Sequence, residues 1–383
     1  MDALPIKRPY SPVQTFVKAP RIPEIGQPEP PSFDEVKNTL AGQTLAVPDL
    51  RPLFQHWPQD VSPALDRLQE AVLDTLEKLD VKPQLRQALI EADVAHLTAH
   101  CWPDADFEDL NFMANMVLWA WDVETYTDKL SADEEAAHTF HAEAKSTWSS
   151  MLRLYNHDGT GCTDFQEPLQ YPTIASFKPI AARLCQMFDR ESRQLLLDEL
   201  FLWLDGTKLE AKMRHTGQMP PFDRYLYMRA AANGSDFFVV VTGYVLAYPI
   251  CLPLSVILQK LAAAGHTALG RSPRWMELKT TAAAINSFAN DLFSVRKEFE
   301  SGEYLNSVIL RAYDLGSVEA SVAECIARVK DLVQEFDQQA QAILADTPEE
   351  GNARSSAAGA IEALRSFNVG CLEWRQVAHP VTG

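Results

Sequence analysis

From residue 63 onward, the apolar positions of this 383-residue chain recur at intervals of three and four. That spacing gathers side chains on one face of an α-helix. Pro63 to Leu79 carries Leu65, Leu68, Val72 and Leu76 on one side, and Pro83 to Ala99 repeats the pattern with Leu85, Leu89 and Val94. A third run extends from Phe107 to about Tyr126. Ser131, with Glu134 three residues on, has the form of a capping box and opens a helix toward Leu154. Beyond a Gly/Asn/Asp-rich break over 156–163, further helices are expected near 174–187, 189–214, 222–248, 251–263, 273–300, 317–341 and 353–374. Strand-like alternation is nearly absent. Phe238 to Val241 has strand propensity, but its neighbours read helical and context overrides so short a run. An all-α bundle in a single domain is the economical architecture.

The first 45 residues are different. Pro5, Pro9, Pro12, Pro20, Pro23, Pro28, Pro30 and Pro31 exclude helix interior, and residues 1–45 are expected to be extended or mobile. Residues 46–376 form the expected helical domain, and 377–383 a tail. An apolar fraction of 46% suffices for a substantial core, while a formal net charge of −18 argues against a general nucleic-acid surface. The run from Phe237 to Leu254 is the nearest approach to a membrane span, but Thr242, Gly243 and Pro249 interrupt it. No apolar leader core is present near the N-terminus. The six cysteines are scattered, with no paired or zinc-like spacing. A cytoplasmic protein with free, mostly buried thiols is expected.

The chemistry concentrates in Asn290-Asp291-Leu292-Phe293-Ser294-Val295-Arg296-Lys297-Glu298. Asn290, Ser294 and Glu298 lie four residues apart and stack on one helical face. Taken alone, such a stripe is more often a solvated face. Its amide, hydroxyl and carboxylate oxygens also suit Mg2+, and the adjacent Arg296 and Lys297 suit phosphate. Position by position, the nonapeptide resembles the Asn/Ser/Glu metal motif of class I terpene synthases, most like microbial and fungal sesquiterpene synthases. Gly302 to Val308 resembles the segment that follows it. The resemblance assigns Asn290, Ser294 and Glu298 to one Mg2+ and Lys297 to diphosphate.

Two weaker likenesses accompany it. Trp121 to Asp128 resembles the family's acidic motif, with Asp122 as the matching metal ligand and Glu124 and Asp128 as further acids. Val123 and Tyr126 depart from the pattern. Tyr225 to Gly234 resembles the segment with the diphosphate-sensing arginine, which falls on Arg229. The family's C-terminal Arg-Tyr pair is missing after Trp374, leaving Arg271, Arg311 or Arg375 as replacements.

The resemblance implies three Mg2+ ions (Mn2+ substituting) and a prenyl diphosphate, of which farnesyl diphosphate leads. Ionisation and cyclisation would give a sesquiterpene or its alcohol in a monomer or homodimer. The implied pocket contour is Phe112, Trp119, Asn233, Gly234, Phe237 and Phe238, although core packing accounts for any one aromatic equally well. Two other readings stand beside it. A chain-elongating prenyltransferase would carry a second aspartate-rich motif in place of the Asn/Ser/Glu face. A noncatalytic isoprenoid-diphosphate-binding or helical interaction protein would explain the altered acidic motif.

Overall fold

Capping residues and glycines set where the helices of this protein begin and end. The structure, a computed structural model, describes residues 30–78, 83–130, 133–154, 169–234, 237–238, 241, 272–347 and 353–378. Ser131, the 251–263 helix, Gly243, Pro249, Arg271 and most of the proline-rich segment lie outside them. In chain order the helices of eight residues or more are α1 (Phe33–Leu40), α2 (Leu65–Lys78), α3 (Pro83–Glu91), α4 (Val94–Cys101), α5 (Phe107–Leu130) and α6 (Glu134–Met151). They continue with α7 (Lys178–Met187), α8 (Arg190–Thr216), α9 (Phe222–Ala232) and α10 (Pro273–Ser301). The last three are α11 (Ser307–Leu315), α12 (Val318–Asp346) and α13 (Ala353–Ala378). Among the described residues no sheet forms, and the one β-bridge joins Ser32 to Gln218. The fold is an all-α bundle. No helix among the described residues is long and apolar enough to cross a membrane.

Several boundaries differ from expectation. Helix α1 falls within the stretch expected to be extended. Ser32 and Glu35 cap it reciprocally, Glu35 N donating to the Ser32 hydroxyl at 3.2 Å and Ser32 N to the Glu35 carboxylate at 2.7 Å. The single helix expected from Pro83 to Ala99 is two. Asp93 adopts φ 46°, a left-handed conformation that aspartate tolerates, and its carboxylate accepts from His96 N to start α4. Helix α6 starts after Asp133, whose side chain accepts from Ala136 N. Helix α11 is an addition, held between the Asn306 cap and Gly316.

Helix α10 organises the rest. Ser272 caps its start, Pro273 fills the first turn where no N–H partner is needed, and Gly302 ends it at φ 85°. Along its length it lies against α9, α11, α12 and α13. Thr280 and Thr281 are only modest helix formers, at a cost of about half a kcal/mol each. Burying Ile285, Phe288 and Leu292 contributes about 2 kcal/mol per side chain and decides the conformation.

Two glycines allow helices to touch backbone to backbone. A Cβ on Gly206 of α8 would fall 2.6 Å from the Ala231 carbonyl carbon of α9. One on Gly370 of α13 would fall 2.4 Å from Cys101 N of α4. The first contact fixes α9 beside α8. The second holds α13 tight against α4.

Candidate active site

A cavity of about 850 Å³ is lined by residues of α5, α9, α10 and α13, with α3, α4 and α8 completing it. Asn290, Ser294, Lys297 and Glu298 line it, so the expected oxygen-bearing face of α10 does look into a concave space. The polar stripe is longer than the motif. Asn286 and Ser287, one turn earlier, line the same wall.

Arg229 meets this face from α9. Its Nη2 donates to Asn290 Oδ1 at 2.7 Å and its Nε donates to Asp291 Oδ1 at 3.1 Å. Asp291 is only 1% exposed and is the polar hub behind the motif. Tyr225, one turn before Arg229, donates its hydroxyl to Asp291 Oδ2, which also accepts from Ser307 N at 2.9 Å. Charge and hydrogen bonds thereby satisfy a carboxylate that burial alone would penalise. Asp291 belongs to the nonapeptide, but its helical direction points into protein and away from the oxygen stripe, so the four-residue spacing does not single it out.

Asn306, at the start of α11, braces the same face. Its Nδ2 lies 2.8 Å from Glu298 Oε2 and 3.5 Å from Ser294 Oγ. Burial, with Asp291 nearby, pushes the Glu298 carboxyl above its ordinary range, although Arg229, Asn306 and Ser294 partly restrain it.

Across the cavity, α5 presents Val117, Trp121, Glu124, Thr125 and Asp128. These recur at three and four residues, one helical face. Asp122 is not among them. It lines a second, more apolar cavity of about 640 Å³ with Phe112 and Trp119. At 100° per residue Asp122 is turned about 160° from Glu124, so both cannot serve one site. Of the α5 acids, Glu124 and Asp128, expected as further acids of the motif, line the cavity with the Asn/Ser/Glu stripe, and Asp122, expected as its matching ligand, does not. Leu89 and Trp121 line both cavities and form the partition between them.

Glu124 is exposed to the cavity, with protein groups packed around its carboxyl. The loss of water on its protein side, with Asp128 and Glu210 close by, lifts its carboxyl to about 7. Arg214 spans the cavity mouth, with Asp128 at 2.9 Å, Glu210 at 2.8 Å and Glu303 at 2.9 Å. It ties the end of α5 to the turn after α10.

The other contour residues divide. Phe238 and Asn233 line the main cavity, where the Asn233 amide donates to Ser287 Oγ and, at 3.2 Å, to Ala283 O. Phe237 packs in the core, its ring 5.3 Å from Trp203 and 6.2 Å from Trp119. Gly234 turns the chain at φ 67° behind the wall. The aromatic wall consists of Trp102, Trp121, Phe238, Phe293, Phe367 and Trp374. Trp121 and Trp374 pack at 5.6 Å between ring centroids.

Of the two described arginines that could replace the missing C-terminal pair, Arg375 is brought to the cavity. It is 7% exposed, and its Nη2 donates to Asn286 Oδ1 at 2.7 Å. Its Nε has no hydrogen-bond partner. Two Arg–Asn pairs, Arg229–Asn290 and Arg375–Asn286, therefore stand one turn apart along α10. Arg311 is instead committed to Glu324 and Asp314.

Among the described residues, no three His, Cys, Asp or Glu side chains converge tightly enough to hold a metal ion by themselves. The oxygen set of α10 is of another kind, one carboxylate with an amide and a hydroxyl. Such donors fit a hard divalent cation that keeps several waters.

The family model described as "Terpene synthase family 2, C-terminal metal binding" matches residues 115–336. A sesquiterpene cyclase, hepA, from Aspergillus oryzae is 24% identical over 355 residues, 90% of this chain and 88% of that protein. Terpene cyclase braA from Annulohypoxylon truncatum is 24% identical over 303 residues, 77% of this chain and 73% of that protein. The fold resembles that of a hedycaryol synthase, with a TM-score of 0.69 at 17% identity, covering 88% of this chain and 100% of that one. The family match takes in α10 and its oxygen stripe, α9 with Arg229, and the acidic end of α5, and on that extent this chain belongs to terpene synthase family 2, enzymes of the class I terpene cyclase type.

Proposed function

We propose that this enzyme ionises farnesyl diphosphate and cyclises the resulting cation to a sesquiterpene or sesquiterpene alcohol, releasing diphosphate. One observation carries the reading. A single cavity is lined both by the Asn290/Ser294/Glu298 stripe with Arg229, Lys297 and Arg375 and by the aromatic side chains Trp102, Trp121, Phe238, Phe293, Phe367 and Trp374. The C15 chain length is supported by the sesquiterpene cyclase among the relatives.

Asn290, Ser294 and Glu298 hold one Mg2+ in this reading, and Glu124 and Asp128 hold the others of a set of three, with Mn2+ able to substitute. Bound, these ions supply Lewis-acid pull on the leaving diphosphate. Arg229 and Lys297 bind its oxygens, and Arg375 takes the place of the missing C-terminal arginine. Fixed positive groups aimed at the oxygens where negative charge develops do most to lower such a barrier. Trp102, Trp121, Phe238 and Trp374 enclose the hydrocarbon and stabilise passing positive charge through their ring faces by about 1–2 kcal/mol each. Asp122, Phe112 and Trp119 have no direct part in this scheme.

The test is incubation of the purified protein with farnesyl, geranyl and geranylgeranyl diphosphates, with and without Mg2+, and analysis by gas chromatography–mass spectrometry. A cyclic C15 product that requires Mg2+ is expected. A noncatalytic diphosphate-binding protein is the second reading, favoured by the replacement of paired aspartates by Glu124 and Asp128. Tight binding of the substrate without consumption would select it.

A further inference from the structure

We infer that Asn306 is a positioning residue for the metal-type face of α10, its amide holding the Glu298 carboxylate in the orientation that meets a divalent cation. The inference rests on the proposed reading of that face. Asn306 is fully buried in the turn between α10 and α11. Its Nδ2 donates to Glu298 Oε2 at 2.8 Å and to the Asp291 carbonyl at 2.8 Å, and lies 3.5 Å from Ser294 Oγ. One amide group therefore reaches the carboxylate, the hydroxyl and the backbone of the same stripe.

Its orientation is forced from the other side. Asn306 Oδ1 accepts from Val308 N at 2.8 Å and Ile309 N at 3.4 Å, the second and third N–H groups of α11. Those donors need an acceptor, so the amide oxygen must face α11 and the NH2 must face α10. Gly302, at φ 85°, reverses the chain after α10 and returns residue 306 beside residue 298. Aspartate at this place would cap α11 but set a second negative charge against Glu298. Serine or threonine would cap it too, with a hydroxyl too short to span to Glu298. Asparagine alone among good caps does both.

A purely structural role predicts that any good N-cap suffices, and this separates the two roles. Asn306→Ser and Asn306→Thr keep the cap acceptor and lose the amide donor. The measurements are the melting temperature of the ligand-free protein, its rise with Mg2+ and inorganic diphosphate, and turnover of farnesyl diphosphate. The expected result is a nearly unchanged ligand-free melt, with the Mg2+ concentration for half-maximal stabilisation raised about tenfold or more, the usual effect of losing an outer-shell partner. Turnover should show the same rightward shift in Mg2+ dependence. Wild-type Mg2+ responses in both variants would overturn the inference, as would loss of folding in both, which would make the Asn306 amide a requirement of the fold and not a positioning group. If the wild-type protein itself shows neither Mg2+–diphosphate stabilisation nor turnover, the metal-face reading fails first and the positioning role falls with it.

Discussion

Arg229 and Asn290 occupy each other, the guanidinium Nη2 donating to the amide oxygen at 2.7 Å. An Asn290 oxygen engaged in this way cannot turn to a cation until Arg229 takes another anion. Diphosphate is such an anion, so metal and diphosphate should bind cooperatively. Mg2+ alone should raise the melting temperature little, and Mg2+ with inorganic diphosphate by more than the sum of the two. In Arg229→Ala the excess should vanish. The ligand-free variant should also lose about 3 kcal/mol in chemical denaturation, because buried Asp291 loses its cation.

Replacing Glu298 by Gln should separate stability from activity. The carboxyl is held above its ordinary range by burial and by Asp291, so ionising it opposes folding in the ligand-free protein. The amide removes that penalty and can still accept from Asn306. Unfolding free energy at pH 8 should hold steady or rise by about 1 kcal/mol. Mg2+-dependent turnover should fall at least about a hundredfold, about 2.7 kcal/mol of lost barrier lowering. A variant that is less stable and fully active would contradict both halves.

Glu124 sets a pH dependence. Its carboxyl, about 7 in the folded protein against 4.5 ordinarily, stays protonated in the folded state where the unfolded chain has already ionised. Its contribution to stability is therefore present below pH 4.5 and lost as pH rises through 7. A metal ligand must be deprotonated, so Mg2+–diphosphate stabilisation should strengthen from about pH 6 to about pH 8. In Glu124→Gln that dependence should flatten, read as the melting shift at each pH.

His141 works in the opposite sense. Burial, reinforced by Lys208 and Lys145, lowers it to about 4, and its Nδ1 has no hydrogen-bond partner. The unfolded chain takes up a proton near pH 6.5 and the folded protein does not. Stability should therefore fall as pH drops from 6.5 toward 4, by up to about 3 kcal/mol. Because Glu124 tilts the same window the other way, the effect is the difference between wild type and His141→Gln in urea denaturation at pH 7.5, 5.5 and 4.5.

The α-helical class and most helices were legible because apolar spacing of three and four survives any tertiary arrangement. Leu68, Val72 and Leu76 of α2 are buried as that spacing required. Helix α1 is masked by the prolines before it, although Ser32 and Glu35 spell its cap. On α10 the Asn290/Ser294/Glu298 face was readable because one helix carries it all. The choice among the α5 acids was not. Whether Asp122 or Glu124 faces the cavity depends on how α5 is rotated against α4 and α2, which packing decides and local sequence does not. Arg375, 85 residues from Asn290, enters through the seating of α13, and Asn306 through the turn at Gly302.

The hydrogen at position 370 has a reach of its own. Gly370 lets α13 rest on the α4 backbone, and Trp374 and Arg375 follow one turn later on the cavity wall. A methyl group there would act as a wedge between the two helices, levering an indole and a guanidinium together toward or away from the bound chain. The mould in which a flexible hydrocarbon is folded is thus calibrated by a residue outside it, and product outcome becomes a property of helix spacing as much as of the side chains that touch the substrate.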